Sequence, residues 1–266
     1  MVPPSALILV LVSAAVHAGW NRLLHDTDDR IPAMAVAGFT TFVLLLPALA
    51  ITPPTRVAPL VVLSGVAQAA YALCLTAAYA RGALSLAYPI GRGTAPLLVT
   101  LGGWVVLAQR PSGLALLGAL CLGLGLLTVA TGSAADGRRQ AVIFALLTGC
   151  CIAAYSLIDA RAVGETAPAG YLGPVMGLMA LILTFRLRGR LSRLRRALRP
   201  GIAIGIGTTA AYLLVLFAFQ GAHAGRVATV RESSVLIGLL LARDRPGLQT
   251  WAGAALVVGG AVLAAL

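Results

Sequence analysis

Two arginines and a glutamate stand where the chain is otherwise apolar: Arg92 in YPIGRGTAP (88–96), and Arg231 and Glu232 in VRESS (230–234). A charge at the centre of a hydrocarbon layer costs about 2.5–3.5 kcal/mol on insertion scales, so such groups face a protein interior or a water-filled path. Arginine stays protonated at physiological pH and grips a carboxylate with a two-pronged fork of N–H donors. Glu232 can bridge to Arg92 or Arg231 as a structural pair, yet two cations against one carboxylate leave an arginine over. A surplus cation there suits the carboxylate of an amino acid or another organic anion. Glu232 is the expected proton carrier, because it is the only carboxylate placed well inside an apolar stretch; Asp159 falls near the end of its own.

Further polar groups share helix faces. Ser13, His17, Trp20 and Asn21 are spaced i, i+4, i+7 and i+8, one side of a helix, and Thr148, Tyr155, Ser156 and Asp159 form a second stripe. Tyr71 and Tyr212 lie in comparable apolar runs, with Gln68, Tyr79 and Gln220 adding polar tips. Such side chains line amphipathic cavities, or pack with a satisfied hydroxyl. The expected substrate-binding set is Arg92, Arg231, His17, Trp20, Asn21, Tyr71, Tyr88, Tyr155 and Tyr212, with Glu232 coupling a proton. The plainer alternatives are an interfacial anchor for Trp20 and a packing histidine for His17. Pro89 and Pro96 bracket Gly91, Arg92 and Gly93, which implies either a broken helix lining a cavity or close packing through small residues.

The elements that must position these residues are apolar spans. Of 266 residues 59% are hydrophobic and the mean hydropathy is +0.95, too apolar for a soluble domain of this size. Ten spans can be counted, at 5–22, 31–51, 58–80, 84–107, 112–131, 140–160, 168–186, 201–221, 225–242 and 248–266. Residues 6–25 align with 141–160, setting Ser13 on Thr148, Trp20 on Tyr155 and Asn21 on Ser156. At the same offset Arg110 and Pro111 fall on Arg245 and Pro246, Gly118 on Gly253, and Gly125 on Gly260. Five spans per copy, an odd number, force the copies into opposite orientations. The fold expected is therefore all-α and integral to the membrane. Ten helices form two inverted five-helix repeats, 1–131 and 140–266, joined by a loop at 132–139 and enclosing a central cavity. That is a common plan of secondary transporters.

Charge follows the membrane. All 20 basic residues are arginine and the net charge is +12. Fourteen arginines lie in loops after odd-numbered spans and four (Arg56, Arg110, Arg161 and Arg226) after even-numbered ones, which places both termini outside the cytoplasm. The run RLRGRLSRLRRALRP (186–200) suits anionic lipid headgroups better than a nucleic acid. Cys74, Cys121, Cys150 and Cys151 all lie in apolar spans as small hydrophobes, with neither disulfide nor metal spacing. The apolar N-terminus lacks a basic leader region and aligns with the sixth span, so it reads as a span and not as a cleaved signal. No phosphate loop, metal constellation or glycine-framed serine occurs. No cofactor is expected, nor nucleic acid; the partners are a small molecule and the lipid bilayer.

In HAGWN (17–21), YPIGRGTAP (88–96), AYSLIDAR (154–161) and RESS (231–234), the sequence resembles the drug/metabolite transporter superfamily, specifically the ten-span EamA-type permeases. The resemblance implies ten helices in a basket around a central cavity. It also implies a small-molecule permease of the bacterial inner membrane, working by alternating access as an exporter of an amino acid, organic anion or drug-like molecule. Ten spans can complete a cavity in a monomer, and a homodimer is also compatible. A Glu-Arg pair frequent in such permeases reads Gln109-Arg110 here after the fourth span and Asp244-Arg245 after the ninth. The ninth span is short by four residues, about one helical turn. A non-transporting accessory subunit is the alternative. An intramembrane enzyme using His17 with Ser233 or Ser234 is a more distant one.

Overall fold

A computed structural model describes residues 3–82, 84–132, 138–233 and 247–265. Among these residues there are twelve α-helices and no strand: α1 (Pro4–His25), α2 (Arg30–Leu44), α3 (Leu46–Ile51), α4 (Ala58–Tyr79), α5 (Leu84–Leu107), α6 (Gly113–Gly132), α7 (Arg138–Ala162), α8 (Pro168–Arg186), α9 (Leu191–Arg196), α10 (Leu198–Gly221), α11 (Ala224–Val230) and α12 (Leu248–Ala265). In lipid every backbone polar group must be satisfied within its own segment, and helices do this. Proline in the first turn opens α1, α4 and α8, where its missing N–H costs nothing.

Six described stretches are long and apolar enough to cross a membrane: Pro4–His25, Thr55–Tyr79, Leu86–Leu107, Arg139–Ala162, Pro168–Arg186 and Leu198–Gly221. Three shorter apolar helices, Arg30–Leu44, Gly113–Gly125 and Trp251–Gly260, accompany them. The chain is a multi-pass membrane protein. Its burial pattern agrees, since large apolar side chains such as Val105, Phe185 and Ile51 are more than three-quarters exposed while Ser13, Asn21, Thr41, Gln68 and Glu232 are buried. The second expected span, 31–51, is not one helix. It divides at Leu45, because Pro47 in the first turn of α3 has no N–H to donate to Val43. In the ninth, the described residues form α11, which tightens into a 3₁₀ turn at Arg231–Ser233. Residues 234–246, including Ser234, Asp244, Arg245 and most of the short span, lie outside the described residues.

Packing follows a pattern. α1 lies on α10 and α7 on α4; α2 lies on α10 and α8 on α4; α2 meets α8, α5 meets α11, and α6 meets α12. Glycines allow the closest approaches. A Cβ on Gly125 would stand 2.6 Å from the Gly253 carbonyl oxygen, and one on Gly260 would stand 2.5 Å from that of Gly118. Between α5 and α7, a Cβ on Gly149 would meet Thr94 Cβ at 2.6 Å and the Gly91 carbonyl oxygen at 3.0 Å. Backbones can come this near only where side chains are missing. α5 also runs unbroken through Gly91, Arg92 and Gly93. Of the two roles expected for those residues, Gly91 thus takes close packing, and the helix break falls instead at Arg231.

The arginine-rich run 186–200 forms the short helix α9 and its flanks. One of its arginines, Arg193, is tied to Asp29 before α2 by two hydrogen bonds, from Nε at 2.7 Å and Nη2 at 2.6 Å.

Candidate functional site

The buried charges meet because α11 packs on α5. Arg92 projects from the middle of α5, and the 3₁₀ turn after α11 presents Arg231 and Glu232 to it. Arg92 Nη2 lies 3.2 Å from Glu232 Oε1, with the two side chains 5% and 1% exposed. The geometry is that of an ion pair without an aligned hydrogen bond. Arg92 Nε and Nη1, Arg231 Nε and Glu232 Oε2 are buried with no hydrogen-bond partner among the described residues. Arg231 makes no ion pair among those residues. Its guanidinium carbon sits 6.0 Å from the centre of the Tyr212 ring. The arginine left over is therefore Arg231, held beside an aromatic ring.

Two cavities flank this cluster and share Tyr71. The larger is walled by His17, Trp20, Gln68, Tyr71, Tyr155 and Tyr212, with Met34, Met176 and Met179 on its apolar side. The smaller is walled by Asn21, Tyr71, Tyr88, Gly91, Arg92 and Thr148 among others. The aromatic rings form a connected wall. Tyr71 meets Tyr155 edge-on at 5.6 Å and 78°, Tyr155 meets Tyr212 at 5.6 Å and 81°, and His17 meets Trp20 at 4.6 Å and 74°. All ten residues expected from the sequence thus converge on one region.

Several carry structural duties as well. Trp20 is buried, so it is not an interfacial anchor. Asn21 is held at both ends: Tyr79 donates to its Oδ1 at 2.9 Å and its Nδ2 donates to the His17 carbonyl at 3.0 Å. Ser13 donates to the Ala211 carbonyl at 2.7 Å, fastening α1 to α10. Gln220 donates to the Val163 carbonyl at 3.1 Å and does not line either cavity.

One expectation needs correcting. Glu232 is not the only deeply buried carboxylate, because Asp159, on the last turns of α7, is fully buried. Tyr171 donates to its Oδ1 at 2.6 Å and Tyr212 donates to its Oδ2. Arg231 also acts on it electrostatically, so two arginines and two carboxylates share the interior. Tyr171 was the residue missed. A lone tyrosine in an apolar span carries no signal until its phenol is seen to reach across to α7. Thr41 and Thr209, which join α2 to α10 through a 2.9 Å hydrogen bond, were likewise indistinguishable from packing residues.

A bundle of apolar helices with buried charges and an aromatic cavity is the architecture of a polytopic membrane protein with an internal polar site. Residues 139–266 match the EamA-like transporter family, the family that the motifs resemble. This is a family of transporters. A solved crystal structure of a protein shares the fold, with a TM-score of 0.66 at 16% sequence identity, covering 98% of this chain and 96% of that one. No curated protein matches the sequence significantly.

Proposed function

We propose that this protein is a secondary transporter that exports a small metabolite across the bacterial inner membrane by alternating access. The observation that carries the reading is the buried cluster of Arg92, Glu232 and Arg231 beside an aromatic-lined cavity. Arg231, which makes no ion pair among the described residues, and Arg92 take the carboxylate of an amino acid or organic anion. The rings of Tyr71, Tyr155, Tyr212 and Trp20 hold the apolar part. Glu232 Oε2 is free among the described residues to take a substrate ammonium group or a proton. Those two compete for one oxygen, so a proton arriving from outside expels a zwitterion bound from within. That competition is the logic of proton-driven export.

The helix contacts support two inverted halves, 1–131 and 140–266, with ten spans in all. Exchanging the halves turns the α1–α10 contact into α7–α4 and the α2–α10 contact into α8–α4, while α2–α8, α5–α11 and α6–α12 map onto themselves. The glycines that align between the copies also meet in reciprocal pairs, Gly125 with Gly253 and Gly260 with Gly118. Rocking one half against the other around the Arg92–Glu232 pair exposes the cavity to each side in turn.

The test is counterflow in proteoliposomes loaded with labelled amino acids and small organic anions. Exchange should appear for at least one pool with the wild type and vanish with Arg92→Ala. Exchange surviving in that variant removes Arg92 from the substrate path.

A further inference from the structure

A second basic pocket lies at the end of α5, apart from the central site. Arg110, Arg226 and His223 line it together with Thr100, Gln109 and Gly225. No acidic side chain lines it among the described residues, and neither arginine makes an ion pair among them. Only four arginines occupy the loops after even-numbered spans, and two of them converge here. The local backbone is arranged to make this corner. After α5 the chain turns through Ala108, whose φ of +54° places a β-carbon in the left-handed region. That turn sends the Gln109 N–H back to the Gly103 carbonyl at 3.0 Å and aims its side-chain Oε1 at the Ala224 N–H, also at 3.0 Å. The residue that joins α5 to α11 at this corner is therefore neutral and offers Arg110 and Arg226 no carboxylate.

We propose that this cavity is an oxyanion-binding vestibule that takes a carboxylate or phosphate group at the membrane face. Its place in transport rests on the function proposed above; the binding itself does not. The two helices that frame it lead inward to the central arginines. Thr100 stands eight residues along α5 from Arg92 and Gly225 six residues along α11 from Arg231, roughly 12 Å and 9 Å at a helical rise. Both arginines belong to loops after even-numbered spans, on the outer side, so in export an anion released from Arg92 and Arg231 passes between Arg110 and Arg226 on its way out. The same chemistry fits a free anion or the phosphate of an anionic lipid headgroup, since exposed Trp104 marks the nearby end of α5 as membrane-interfacial.

Arginine-selective labelling with phenylglyoxal, read by peptide mass spectrometry, tests this directly. In maltoside detergent, inorganic phosphate should slow labelling of Arg110 and Arg226 at least threefold relative to chloride at equal ionic strength. Exposed Arg56 and Arg161 should be unaffected. A parallel arm without phosphate uses vesicles with and without phosphatidylglycerol; protection confined to this arm names the lipid headgroup as the occupant. Gln109→Glu keeps an acceptor for the Ala224 N–H but adds a negative charge, and should abolish protection in whichever arm shows it. Equal labelling of all four arginines in both arms overturns the proposal, as does full protection in Gln109→Glu. Loss of flux with protection intact would count against the transporter reading alone, and intact flux without protection against the vestibule alone.

Discussion

Replacing Glu232 with glutamine should destabilise the protein more than replacing Glu232 and Arg92 together. The carboxylate lies 3.2 Å from Arg92 Nη2, and both side chains are almost wholly buried. Removing it strands a guanidinium whose Nε and Nη1 already lack hydrogen-bond partners among the described residues. Breaking a buried pair in this way costs about 3–5 kcal/mol, whereas replacing both partners by neutral groups is often close to neutral. Glu232→Gln should therefore lose about 3 kcal/mol or more, Arg92→Gln a similar amount, and the double variant clearly less than either. The implied coupling exceeds about 3 kcal/mol, the top of the range for contacting residues. Reversible unfolding in mixed detergent and dodecyl sulfate micelles, followed by tryptophan fluorescence across the four proteins, measures it. A double variant as destabilised as the two single losses combined would refute the pairing.

Other consequences follow from the packing and the polar contacts. Gly125→Val and Gly260→Val each drive a side chain into a backbone oxygen of the facing helix, 2.6 Å and 2.5 Å from the new Cβ. Each should cost about 1–3 kcal/mol, to a similar extent, in the same unfolding titration. Tyr171→Phe removes one of the two phenols donating to Asp159 and should cost about 1.5–3 kcal/mol, the range for a hydrogen bond to a charged group. Asp29→Asn loosens a bridge to Arg193 whose side chains are 34% and 39% exposed, and should cost less than about 1 kcal/mol and matter less still in high salt. Ala108→Gly relieves a left-handed backbone position and should raise stability by about 1 kcal/mol, seen as a later unfolding midpoint.

What could be read from the sequence was whatever stood out against an apolar background. The stripe of Ser13, His17, Trp20 and Asn21 is visible because polar groups at helical spacing have no reason to face lipid, and all four are buried. Arg92, Arg231 and Glu232 are visible for the same reason, although which arginine takes the carboxylate depends on how α11 sits on α5. Asp159 shows that position near the end of a span does not measure depth. A carboxylate near a helix end can be fully enclosed when neighbouring helices extend past it, as α8 and α10 do through Tyr171 and Tyr212. The division of the second span at Leu45 was signalled by Pro47, but hydrophobicity alone runs straight across it. The 3₁₀ turn at Arg231 has no signal in composition. Of the two helices that present the buried charges, only α5 holds its arginine in regular helix, and that asymmetry emerges only from the backbone.

The most direct measurement is proton movement by purified protein in proteoliposomes, screened against pools of amino acids and small organic anions, with Glu232→Gln alongside the wild type. The expected result is a substrate-dependent proton signal in the wild type that disappears in the variant while the variant remains folded. A signal of undiminished size in Glu232→Gln, or substrate flux with no proton movement in the wild type, would contradict proton coupling at this carboxylate.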